Sequence, residues 1–335
     1  MHDDPEEAPL LKPTRLLSGA LAAVLVVASA VPAWSGSTGA SRNIRVALVS
    51  EQVGVQPGRP FRVGLHMRMR AGWHTYWKNP GDAGLPLRIK WRLPEGFSAG
   101  PILWPVPERI PAGTVMSYGY EREILLPIEI TPPSRIAANS VTIAGTFDWL
   151  ECKEVCLPGS AELDLTLPVG SATPRTGPAT PLFAETRSRM PMPSTGWSFS
   201  AEAGPRAISI AVRVPPGFSA RRAYLYLDQP LVADFAAPQG FERVPDGYRI
   251  TMTPDPNAPR PPERLSGVLA FDAREGMKPR TALQVDVPVT LGDPAPAPVP
   301  SERRALPAAA YIAIFALLGL GLALLWRFAM PLLRG

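Results

Sequence analysis

The sequence is poor in cysteine and histidine. Its 335 residues include only 2 Cys and 3 His. Two cysteines exclude a disulfide-rich scaffold and a four-cysteine zinc site, and three histidines leave little material for a histidine-built metal centre. Charged residues make up 19% of the chain with a formal net charge of +5, and no Gly-rich phosphate loop leads from a strand into a helix. We therefore predict no metal site, no cofactor and no nucleic-acid partner.

Proline is abundant instead. The 42 Pro and 28 Gly together make up about a fifth of the chain, against about 12% in average proteins. Because proline lacks an amide donor and breaks helix interiors, this composition argues against a mainly helical protein. The 46% hydrophobic content is too high for a disordered chain. A folded, strand-rich body is the expected outcome.

Both ends of the chain carry apolar runs. Leu16 to Val31 follows Lys12 and Arg15, which is the pattern of a secretory signal peptide over residues 1–33, with an uncleaved anchor helix as the alternative. Residues 307–326 contain no charge and are long enough for one transmembrane helix; a buried core helix is the alternative. The signal peptide predicts that the bulk of the chain is exported, and the C-terminal helix predicts that it is tethered to the inner membrane.

The region between the two runs shows strand periodicity. Apolar residues alternate with polar ones in two segments, residues 61–69 and 87–93, and turn clusters follow them. Such spacing predicts an all-β fold of two β-sandwich domains, at residues 42–170 and 196–291. Residues 171–195 are predicted as a linker with a short helical turn, and residues 292–306 as a Pro-rich stalk. The echo between residues 93–99 (LPEGFSA) and 214–220 (VPPGFSA) suggests that the domain is duplicated.

The two cysteines stand close together, as Cys152 and Cys156. In an oxidising compartment such a pair forms a disulfide unless it is kept reduced. A bridge over so short a loop contributes only about 2 kcal/mol of loop entropy. It also lies at the expected rim of a sheet, where a partner can reach sulfur. Redox activity and a permanent structural staple both remain open on these residues alone.

Several ordered motifs give the segment from Gly72 to Pro168 a family resemblance. They are residues 73–82 (WHTYWKNPGD), 104–105 (WP), 118–120 (YGY), 125–127 (LLP) and 149–159 (WLECKEVCLPG). The segment resembles the N-terminal periplasmic domain of the thiol:disulfide interchange protein DsbD, and more closely its ScsB relatives from copper-tolerance systems. The second β domain fits the longer ScsB-like ectodomains more loosely.

The resemblance implies immunoglobulin-like domains and a thiol–disulfide relay, in which a membrane electron donor reduces the pair and the pair reduces periplasmic thioredoxin-like partners of the disulfide-isomerase or copper-tolerance type. By position, Cys156 matches the cysteine that bonds to the partner and Cys152 the resolving one. The family's cap loop matches residues 115–119. Its shielding aromatic falls near Ser117, so we expect Tyr118 or Met116 to shield the sulfurs; a turn tyrosine packed on the core is the alternative.

The sequence departs from the family at two points. Three residues separate the cysteines, fewer than in the enterobacterial DsbD type, and Met330-Pro331 is followed by Leu332 where the family has a membrane cysteine. Either a separate membrane protein reduces the pair, or the chain is a truncated product of a longer protein. A function from another class stays open as well: a tethered β-sandwich binding or scaffold module with a structural disulfide.

Overall fold

The computed structural model describes residues 36–172, 175–272 and 281–295, and nearly all of its regular structure is β-strand. The predicted all-β fold is therefore confirmed. Within the described ranges no helix is long and apolar enough to cross a membrane. The predicted signal peptide, the transmembrane helix at residues 307–326 and most of the stalk lie outside those ranges, so they stay predictions.

Residues 38–168, called the first domain below, form two sheets. Its strands are β1 (Thr38–Ala40), β2 (Ile44–Ser50), β3 (Phe61–Met69), β4 (His74–Gly81), β5 (Arg88–Arg92), β6 (Ser98–Ile102), β7 (Glu108–Ala112), β8 (Val115–Glu121), β9 (Glu123–Thr131), β10 (Ser140–Cys152) and β11 (Cys156–Pro168). One sheet has the order β1-β2-β3-β9-β6; the other has the order β11-β10-β4-β8-β7, with β5 also pairing with β10. Their facing apolar side chains form the core.

Residues 198–291, called the second domain below, form strands that follow one continuous path. Its strands are β12 (Ser198–Ala203), β13 (Ile208–Arg213), β14 (Ala223–Leu227), β15 (Gly240–Val244), β16 (Gly247–Met252), β17 (Arg264–Phe271) and β18 (Thr281–Leu291), in the order β14-β17-β18-β12-β13-β16-β15. Strand β18 pairs antiparallel with β17 and, at its end, parallel with β12. Tyr248 on β16 lies 6.1 Å from Phe271 on β17, ring centroid to centroid, so the two halves of the path pack face to face.

The segment between the domains is packed on the first one. Helix α1 (Thr180–Arg187) has Pro181 in its first turn, where a missing amide costs nothing. Its Phe183 is buried in a small cluster with Val49 and Leu125. This cluster covers part of the β3 face that alternation predicts to be solvated, and His66 on that face is only 7% exposed. Local alternation could not show this covering, because the helix comes from over 100 residues away.

Candidate functional site

The two cysteines close the tip of a long hairpin. Strands β10 and β11 have 13 residues each and pair in register from Ser140 opposite Pro168 to Cys152 opposite Cys156. A disulfide joins the two sulfurs, and only residues 153–155 form the turn. The register of the whole ladder therefore positions the bridge.

The two cysteine residues differ in exposure. Cys152 is only 2% exposed, because its strand also meets β4, where it pairs with His74. Cys156 is exposed, and so is the turn before it, in which Val155 is 63% exposed. A nucleophile arriving from solvent can therefore reach Cys156 far more easily than Cys152.

Tyr76 is the aromatic residue that contacts the disulfide. Its hydroxyl donates a hydrogen bond to the Cys152 sulfur at 2.8 Å and lies 3.4 Å from the Cys156 sulfur. Burial raises the pKa of Tyr76, and a hydrogen bond with Ser117 partly offsets this. The hydroxyl consequently keeps its proton near neutral pH and can act as a donor to sulfur.

A glycine makes room for the Tyr76 ring. Gly84 has φ +115°, a conformation that residues with a Cβ rarely adopt, and a Cβ built there would lie 2.3 Å from the ring. The segment after β4 therefore closes over Tyr76, which is 2% exposed. Sequence analysis assigns Tyr76 no role, and its place in the 73–82 motif was the only signal that marked it.

His74 supports the same face of β4. Its ring lies edge-on to Tyr76 with centroids 5.2 Å apart, and burial lowers the pKa of His74. Its Nε2 has no hydrogen-bond partner among the described residues. The imidazole is therefore neutral at pH 7 and places no cation beside the sulfurs.

The acidic neighbour of Cys152 faces elsewhere. Glu151 is only 1% exposed and accepts hydrogen bonds from Asn43 Nδ2, at 2.9 Å, and from Ser41 Oγ. Because successive strand residues point to opposite faces, its carboxylate is held away from the disulfide. A negative charge that would oppose thiolate formation is thereby kept from the reacting atoms.

The predicted cap residues, Met116 and Tyr118, lie on strand β8 and not in a loop. Tyr118 is fully buried; its hydroxyl pairs with that of Tyr224 at 2.8 Å, and its ring contacts those of Trp77, Tyr226 and Phe235. The amide of Met116 donates to Asp82 at 2.7 Å. The structure thus brings Cys152 and Cys156 together with Tyr76, and it joins Tyr118 to the second domain.

Comparison with known proteins identifies the first domain. Residues 46–168 match the family described as "Thiol:disulfide interchange protein DsbD, N-terminal". Residues 46–168 form a DsbD-type N-terminal domain. The cysteine hairpin lies within this DsbD-type domain, close to its end.

Among solved structures, the chain is similar to the N-terminal periplasmic domain of ScsB from Proteus mirabilis, with 17% identity and a TM-score of 0.58 over 77% of this chain and 100% of that one. At this identity the likeness shows the fold alone, and it extends beyond the DsbD-type domain. A protein of unknown function from Porphyromonas gingivalis W83 matches with 11% identity and a TM-score of 0.23 over 76% of this chain and 99% of that one, too low to support any argument. No curated protein matches the chain.

Proposed function

We propose that the protein is a periplasmic thiol–disulfide relay tethered to the inner membrane, with two immunoglobulin-like domains. It takes two electrons from a membrane reductase and passes them to thioredoxin-like partners by dithiol–disulfide exchange. The DsbD-type domain supports this class of chemistry and a periplasmic location. The observation that carries the proposal is the asymmetry of the pair, with Cys156 exposed and Cys152 buried beneath Tyr76.

The exposure difference gives each sulfur a role. In the reductive step, a donor thiolate attacks Cys156, a donor–Cys156 disulfide forms, the Cys152–Cys156 bond breaks and Cys152 leaves as a thiolate. The donor's second thiolate then attacks the donor sulfur of the mixed disulfide. This releases Cys156 as a thiolate and leaves the donor oxidised to its own disulfide.

In the second half of the cycle the reduced pair passes its electrons to a partner by the same exchange chemistry. The Cys156 thiolate attacks a partner disulfide, forms a mixed disulfide and expels one partner thiolate. Cys152 then attacks Cys156, the internal disulfide re-forms, and the partner leaves with both of its sulfurs reduced. Two electrons move in each half, and the protons of the thiols exchange with solvent.

Tyr76 assists Cys152, the buried cysteine. A hydroxyl donates a stronger hydrogen bond to a thiolate than to a disulfide sulfur, because charge strengthens hydrogen bonds about twofold. The Tyr76 hydroxyl at 2.8 Å therefore stabilises Cys152 when it leaves as a thiolate. In this proposal Tyr76 is a catalytic residue that contacts a reacting atom.

Thiol trapping in cells tests the relay. We expect the Cys152→Ala variant of the full-length protein to accumulate a mixed disulfide through Cys156, seen as a DTT-sensitive band on a non-reducing gel. The matched Cys156→Ala variant, which keeps only the buried sulfur, should give no such band. The relay is wrong if Cys152→Ala captures no partner and the wild-type pair never appears reduced.

The reduction potential of the wild-type protein distinguishes a relay disulfide from a permanent structural one. A permanent disulfide has a reduction potential below about −300 mV, whereas a relay disulfide is reduced more easily. Equilibration of the wild-type protein with glutathione buffers measures this value. A potential below that limit would favour the tethered scaffold module over the relay.

A further inference from the structure

The second domain packs against the two strands that hold the Tyr76 hydroxyl in place. Tyr118 on β8 contacts Tyr224 and Tyr226 on β14, with ring centroids 6.1 and 5.1 Å apart. Trp77 on β4 lies 6.3 Å from Tyr226. The guanidinium of Arg109 on β7 lies 4.5 Å over the Tyr224 ring. Strands β4, β7 and β8 therefore all contact the second domain through aromatic rings.

Polar contacts fix the same interface. Asn79 is 2% exposed, and its amide donates to the backbone oxygens of Leu227, at 2.8 Å, and Gln229, at 3.2 Å. Lys78 forms an ion pair with Asp228 at 2.7 Å. Both polar residues directly follow Trp77 in the 73–82 motif. The motif thus contacts the sulfurs with its first half and the second domain with its second half.

Strand geometry couples the two contacts. Successive side chains of a strand point to opposite faces, so Tyr76 faces the disulfide while Trp77 faces the second domain. On the neighbouring strand β8, Tyr118 hydrogen-bonds Tyr224, and Ser117 before it lies two positions from Gly119, the register partner of Tyr76. Tyr76 on β4 and Ser117 on β8 are therefore chain neighbours of Trp77 and Tyr118, whose rings contact β14.

We propose that the second domain is a positioning element of the redox site, with Tyr224 and Asp228 as the residues that hold β8 and β4 and thereby keep the Tyr76 hydroxyl against Cys152. The inference rests on the proposed function only in treating the pair as redox-active. It predicts that reactivity of the pair depends on side chains in another domain that do not contact sulfur.

The test uses the full-length protein and the Tyr224→Phe/Asp228→Asn double variant, which keeps ring packing and removes one hydroxyl pair and one ion pair. The matched control is Arg249→Gln, which removes the 3.5 Å ion pair with Glu242 inside the second domain. We measure the rate at which DTT reduces the disulfide and the equilibrium constant for its reduction by glutathione. Both should fall at least threefold in the double variant and stay unchanged in the control, with urea unfolding verifying that each variant is folded.

The deciding result comes from repeating the double substitution in a protein that already carries Tyr76→Phe. If the second domain acts through Tyr76, the double substitution has no further effect once the hydroxyl is gone. An unchanged DTT rate in the first set overturns the proposal, and so does an equal fall in both backgrounds. Because DTT and glutathione replace any natural partner, this result is independent of whether the trapping experiment captures one. Should the double variant fail to fold, Asp228→Asn alone carries the same comparison.

Discussion

At the scale of single residues, the two aromatic side chains of β4 beside the disulfide are neutral. Burial raises the pKa of Tyr76 and lowers that of His74, so both side chains are neutral at pH 7. The buried carboxylate of Glu151 accepts hydrogen bonds from Asn43 and Ser41. The thiolate formed on Cys152 would therefore find a donor hydroxyl and no competing charge among these neighbours.

His74 also makes stability depend on pH. Its pKa is lowered in the folded protein and is about 6.5 in the unfolded chain, so the unfolded chain binds more protons in that range. The free energy of unfolding should be at its full value above about pH 6.5 and fall as the pH drops below that value. Urea unfolding across this range should show a smaller slope for His74→Gln than for wild type. His66, whose pKa burial also lowers, should account for the remainder, and an unchanged slope in the His74→Gln variant would contradict this assignment.

At the scale of elements, the two sequence echoes form the same turn. In residues 93–99 the amide of Phe97 donates to Pro94, and Gly96 has φ +77°; in residues 214–220 the amide of Phe218 donates to Pro215, and Gly217 has φ +80°. Both are four-residue turns that require positive φ at the third residue, as in type II. Each turn follows a strand of its own domain. The echo therefore records one local structure used twice.

The two glycines should differ in tolerance. Ala at position 217 meets no atom within 4 Å, whereas Ala at 96 would lie 3.1 Å from Pro133. Positive φ alone costs a residue with a Cβ about 1 kcal/mol, so Gly217→Ala should lower the free energy of unfolding by about that amount. Gly96→Ala should lower it further. Urea denaturation measures both, and equal stability of wild type and Gly217→Ala would argue against the positive-φ turn.

Strand alternation made most of this fold predictable, and its failures have one physical origin. The apolar face of residues 61–69 is buried as expected, and the cysteine segment forms a hairpin tip. Tyr118 and His66 were harder to place, because residues distant in sequence cover them: Tyr224 covers the first, and the cluster around Phe183 borders the second. A local period shows which side chains share a face but not which distant segment will pack on that face.

At the scale of the whole molecule, the aromatic interface should make the two domains unfold together. Tyr226 contacts Trp77, Tyr118 and Tyr224, and large-to-small changes at such buried rings cost about 3–5 kcal/mol. We expect one calorimetric transition in wild type and two in Tyr226→Ala, since the domains lose their shared rings. The control Phe241→Ala removes a ring stacked on Tyr248 inside the second domain and should lower Tm without splitting the transition. Two transitions in wild type would show that the interface does not couple the domains.

The paired ladder of β10 and β11 has a kinetic consequence. Because Cys152 and Cys156 are the last opposed pair of that ladder, the backbone hydrogen bonds of the hairpin still hold the two residues opposite each other after the disulfide is broken. The resolving thiol is then present at the mixed disulfide at an effective concentration far above that of any free thiol. Complexes of the wild-type protein with its partners should consequently be short-lived, and Cys152, the residue shielded from solvent, sets how long they last.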